Sequence, residues 1–90
     1  MEVYFTKIAE KELKGWLKSD RLTARKIYEL IEDIQEFGML NGRGKPEKLK
    51  HYKNPVRFSR EISKGDRLVY CQHGENDLLI ISCKGHYDDT

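Results

Sequence analysis

Ninety residues make one small domain, near the lower limit at which a hydrophobic core sustains itself. Hydrophobic residues make up 38% and charged residues 36%, the balance of a globular, highly soluble chain of modest stability. No apolar run approaches the roughly 20 residues a bilayer crossing needs, and the N-terminus has no signal-peptide core, so a cytoplasmic protein with no membrane partner is expected.

Val3-Tyr4-Phe5-Thr6 reads as a short first strand of β-branched and aromatic residues. Thr6 offers an N-cap to a helix that runs to about Lys18, with Ala9, Leu13, Trp16 and Leu17 on one face. Ser19-Asp20 breaks it and caps a second helix, Arg21 to Phe37, whose Ile27, Leu30, Ile31 and Ile34 recur at helical spacing until Gly38 ends it. The stretch that follows reads as a basic loop. Val56 to Ile62 then sets Val56, Phe58 and Ile62 against Arg57, Ser59 and Glu61, the alternation of a half-buried strand.

Lys64-Gly65-Asp66 turns into the strand Arg67-Leu68-Val69-Tyr70-Cys71, and Gly74 to Asp77 turns into Leu78 to Ile81. The expected fold is α+β, a β-α-α-β-β-β order with a helical hairpin packed on one face of a mainly antiparallel sheet. It occupies residues 1–90 as a single domain, with 88–90 as a polar tail. The sheet face opposite the helices is the natural place for function. Alternation puts Arg67 with Val69 and Cys71, but periodicity alone does not say whether theirs is the open face.

Two cysteines in such a chain imply thiols. Cys71-x-His73 and Cys83-x-x-His86 gather soft ligands, but the spacing is not the usual zinc pattern and both cysteines lie in apolar strands. They read as small buried hydrophobes, and neither a metal nor another cofactor is expected.

Net charge is only +2, yet its distribution is uneven. Between Arg43 and Arg67 nine Lys or Arg stand against three acids, whereas the rest of the chain has eight bases and twelve acids. One cationic surface on an acidic body is the footprint of a phosphate-binding face. Within it Glu47 is anomalous, since a carboxylate weakens a phosphate site unless it has chemistry to perform.

Cleavage of RNA needs a base for the 2′-OH, a cation for the charged transition state and an acid for the leaving 5′-oxygen. Glu47, Arg67 and His86 are candidates for these roles, and Tyr87 can orient the phosphate or stack on a base. Lys45, Lys48, Lys50 and Lys53, with Arg57 and Arg60, are candidate contacts to RNA or the ribosome, giving affinity without sequence choice. Each residue alone has a plainer reading as an ion pair, a strand edge or a packed aromatic.

Together they carry a resemblance. Gly44-Lys45-Pro46-Glu47-Lys48-Leu49-Lys50, Phe58-Ser59-Arg60-Glu61-Ile62, Arg67-Leu68-Val69-Tyr70 and Ser82-Cys83-Lys84-Gly85-His86-Tyr87 resemble the YoeB/Txe family of bacterial toxins, within the RelE/ParE superfamily. The likeness covers almost the whole chain. It implies a type II toxin–antitoxin module and an mRNA endonuclease acting in the ribosomal A site, with Glu47, Arg67, His86 and Tyr87 as its catalytic set and Lys50 as an RNA or rRNA contact. It also implies the ribosome with its mRNA and an antitoxin of the Phd/YefM type as partners, and is compatible with a homodimer.

Three features depart from the family pattern. Glu61 stands where a second arginine often follows Arg60, Gly65-Asp66 replaces a common Glu-His, and Asp88-Asp89-Thr90 extends past the usual end. Two other functions fit the scaffold: a non-enzymatic, gyrase-targeting ParE-like toxin, and a plain RNA-binding module.

Overall fold

Thr6 closes the first strand and opens the first helix, because its hydroxyl accepts the Ala9 N–H at 3.0 Å. In the computed structural model, which describes residues 1–85, strand β1 is Val3–Phe5 and helix α1 is Lys7–Ser19. Asp20 then serves both helices. Its N–H donates to Trp16 O at 2.7 Å, ending α1, while its carboxylate accepts from Thr23 N and Thr23 Oγ1, starting α2 (Arg21–Phe37). These bonds, that of the Thr23 side chain foremost, hold the Asp20 carboxyl below its usual range.

Four more strands follow: β2 (Glu47–Lys53), β3 (Val56–Ser63), β4 (Asp66–His73) and β5 (Asp77–Ser82). They form one sheet in the order β1-β5-β4-β3-β2, antiparallel except for the parallel β1–β5 pair. The α+β expectation of a helical hairpin on one face of a mainly antiparallel sheet is met, with one correction to the β-α-α-β-β-β order. The basic loop contains an additional strand, β2. It is an edge strand whose lysines mask the period-2 signal, and Leu49 is its only aliphatic residue.

The helices bury Ile27, Leu30, Ile31 and Ile34 against Ile62, Leu68, Tyr70, Leu78 and Ile80. Leu68 and Tyr70 therefore face the helices. Arg67, Val69 and Cys71, at the alternate positions, belong to the opposite face. No helix among the described residues is long and apolar enough to cross a membrane.

Candidate active site

Three neighbouring strands bring three side chains together on that opposite face. Glu47 opens β2 directly across from Ser59 of β3, and Ser59 lies across from Val69, two residues after Arg67 in β4. Directly paired residues project to the same side of a sheet, so the register alone puts all three on one face. Arg67 Nε donates to the Ser59 hydroxyl at 3.1 Å, and Arg67 Nη2 lies 3.4 Å from Glu47 Oε1. The Ser59 hydroxyl, having accepted from Arg67, has its proton to offer Glu47 Oε1, 3.5 Å away.

Exposure rises across the group. Ser59 is fully buried, the Arg67 side chain is 16% exposed, and that of Glu47 is 59% exposed. The serine and arginine are set into the sheet, and the carboxylate stands at the rim. An ion pair so open to water is worth at most about 1 kcal/mol, so the fold does not require it. A cation fixed beside an accessible carboxylate can stabilise a phosphorane-like transition state while the carboxylate accepts a proton.

The loop delivering Glu47 is built around Arg60, which the sequence reading placed among the RNA contacts. That expectation needs correction, because Arg60 is 0% exposed. Its position in the strand alternates with Ser59 and so points toward the helices. Nη2 donates to Gly38 O at 2.8 Å and Asn41 O at 2.6 Å, Nη1 to Arg43 O at 2.9 Å, and Nε to the Tyr70 hydroxyl at 2.9 Å. Tyr70 Oη in turn donates to Met39 O at 2.6 Å. Asp33 accepts from Arg43 N and Arg43 Nε, and these bonds hold its carboxyl below the usual range.

Gly44, at φ +88°, lies so close to Arg60 that an added Cβ would sit 3.1 Å from the Arg60 Cβ and 3.0 Å from Leu30 Cδ2. Its carbonyl accepts the Glu61 N–H at 2.7 Å, which docks the loop on β3 just before Glu47.

The remaining candidates are more dispersed. Lys45 is exposed and pairs with Glu61 at 3.8 Å. Lys48 is paired with Phe58 and so belongs to the face away from Glu47, while Lys50 and Lys53 are exposed along the β2 edge. Arg57 is half-buried, its guanidinium 4.5 Å above the Tyr52 ring. Its Nε is buried and has no hydrogen-bond partner among the described residues. Cys71 and Cys83 are buried; burial pushes both thiols up, Cys83 to about 12 with the Glu12 and Asp66 carboxylates adding to the effect.

His86 and Tyr87 lie outside the described residues, but the residue before them is held beside Arg67. Gly85 O accepts the Arg67 N–H at 3.0 Å, and Gly85 N donates to Asp66 Oδ1 at 2.8 Å. Ser59 and Asp66 are the two residues here that motif reasoning passed over. Ser59 was legible only through strand register, and Asp66 read simply as part of a turn.

The family model for the YoeB-like toxin of bacterial type II toxin–antitoxin systems matches residues 5–87. The chain belongs to this family. The YoeB-like match spans Glu47, Ser59 and Arg67 and reaches the positions of His86 and Tyr87. Toxin YoeB of Escherichia coli K12 is 40% identical over 72 residues, 80% of this chain and 82% of that protein. The YoeB dimer from Staphylococcus aureus is 39% identical with a TM-score of 0.87, covering 97% of this chain and 98% of its own. The heterotetrameric YoeB–YefM toxin–antitoxin complex of the same organism is similar at 38% identity and a TM-score of 0.85, with coverage of 97% and 98%.

Proposed function

We propose that this YoeB-like toxin is an endoribonuclease that cleaves mRNA on the translating ribosome. Glu47 takes the proton of a 2′-OH, and the 2′-oxygen forms a bond to the adjacent phosphorus. The P–O5′ bond breaks, His86 protonates the departing 5′-oxygen, and a 2′,3′-cyclic phosphate remains. Arg67 stabilises the charge that gathers on the phosphoryl oxygens, and Tyr87 orients that group or stacks on a base. Acid, base and cation are all side chains, so the sequence of steps calls for no metal.

The observation that carries this reading is the Glu47–Ser59–Arg67 group, with Arg67 Nη2 3.4 Å from Glu47 Oε1 on the sheet face opposite the helices. Lys45, Lys50, Lys53 and Arg57 supply phosphate contacts at the mRNA or the ribosome. The complex of the S. aureus relative supports a YefM-type antitoxin as the silencing partner, and the relative's dimer supports self-association. The gyrase-targeting alternative is not favoured, because the matching model is the YoeB-like one.

Cleavage of a defined mRNA in a translation extract tests the proposal. Glu47→Ala and His86→Ala are each expected to slow cleavage by roughly 10²–10⁴-fold. Arg67→Ala is expected to cost roughly 10²–10³-fold. All three should remain folded. Cleavage at the wild-type rate by the Glu47 and His86 variants would sink the mechanism.

A further inference from the structure

Beyond β5 the chain leaves the sheet, yet its backbone is fastened at alternate residues. Both polar atoms of Cys83 are taken by helix α1. The Cys83 N–H donates to Glu12 Oε1 at 2.8 Å, and Cys83 O accepts from Trp16 Nε1 at 2.9 Å. Glu12 and Trp16 are four residues apart and so lie on one face of the helix. Both polar atoms of Gly85 are taken by the start of β4, through Asp66 Oδ1 and the Arg67 N–H. Between them, Lys84 Nζ lies 5.8 Å over the Trp16 ring.

A segment outside regular secondary structure is held in place only where its backbone groups find partners. Here the backbones of two alternate residues, Cys83 and Gly85, make four hydrogen bonds, two of them to carboxylates, the stronger kind. The segment so fixed leads directly into His86 and Tyr87, and its last described carbonyl is bonded to the backbone of Arg67. Two independent supports, one helical and one from the sheet, thus converge on the point from which the terminal pair departs. Neither Glu12 nor Trp16 belongs to the Glu47–Ser59–Arg67 group.

We propose that Glu12 and Trp16 are positioning residues for the terminal His-Tyr pair, acting through the backbone of Cys83. The inference rests on the endoribonuclease reading above. A displacement of about 1 Å in a reacting group can cost on the order of 10²-fold in rate, so loosening this attachment should be felt in catalysis.

The test uses the full chain with programmed ribosomes, under saturating and subsaturating conditions. Trp16→Phe removes the indole donor and keeps an aromatic ring, while Glu12→Ala removes the carboxylate. Each should lower the maximal cleavage rate by roughly 10–100-fold at an unchanged half-saturation point, with a cooperative melt still above the assay temperature. Glu12→Gln retains an acceptor and should restore most of the rate.

In a His86→Ala background, Trp16→Phe should cost less than it does in the wild type, because the part of its effect that runs through His86 is already gone while the part through Tyr87 remains. Full-rate cleavage by folded Trp16→Phe and Glu12→Ala would overturn the inference. So would an undiminished loss from Trp16→Phe in the His86→Ala background. A wild-type chain that cleaves no mRNA would instead overturn the endoribonuclease reading itself.

Discussion

Arg60 and Arg67 occupy adjacent strands and have opposite tasks. Arg67 reaches the open face beside Glu47, whereas Arg60 is enclosed and gathers the carbonyls of Gly38, Asn41 and Arg43. Removing Arg60 strands those acceptors, so Arg60→Ala should lower unfolding free energy by about 3 kcal/mol or more in a denaturant titration. Arg60→Lys should recover little of it, because an ammonium cannot reproduce the planar fork. Alternation already placed residue 60 in line with Phe58 and Ile62; its charge and the family motif drew it toward RNA instead. Asp33 carries a pH signature at the same loop. With its carboxyl held down mainly by the Arg43 side chain, its contribution is complete above the unfolded value of about 3.9 and is lost as pH falls through the lower folded value. Melting temperatures of wild type and Asp33→Asn should therefore differ by a steady amount above about pH 5 and draw together only as pH falls from about 4 toward the lower folded value.

Among the elements, α1 and α2 were legible because their apolar residues recur at helical spacing and their caps, Thr6, Asp20 and Gly38, are strong signals. Strands β3 and β4 showed their alternation openly. β2 did not, because an edge strand rich in lysine buries little and its pairing with β3 is irregular between Lys48 and Lys53. Leu49, 2% exposed, is its main apolar anchor. Leu49→Ala should cost about 2–5 kcal/mol and also loosen Glu47, visible as a lower cleavage rate in protein that is still folded. Glu47 and Arg67 were legible as a pair because motif and chemistry agreed. Ser59 was not, since a serine in a strand announces nothing until the register places it between them.

At the scale of the whole molecule, charge is segregated. The nine bases from Arg43 to Arg67 fall on β2, β3, β4, the β3–β4 turn at Lys64 and the loop before β2; the enclosed Arg60 apart, they make this region cationic, while the chain elsewhere is net acidic. Such a surface suits the phosphates of a ribosome-bound message, and equally an acidic segment of an antitoxin that covers it. Affinity for the antitoxin should fall as salt rises, and titrations at increasing ionic strength check this; a dissociation constant indifferent to salt would point to an apolar interface instead. The decisive step of the proposed reaction, however, is the transfer of a proton and not the placing of a charge. Glu47→Gln keeps the size of the side chain and removes its basicity, so single-turnover cleavage of mRNA on programmed ribosomes isolates that proton transfer. A rate reduced by roughly 10²–10⁴-fold with ribosome binding intact is the predicted result. Cleavage by Glu47→Gln at the wild-type rate would contradict it.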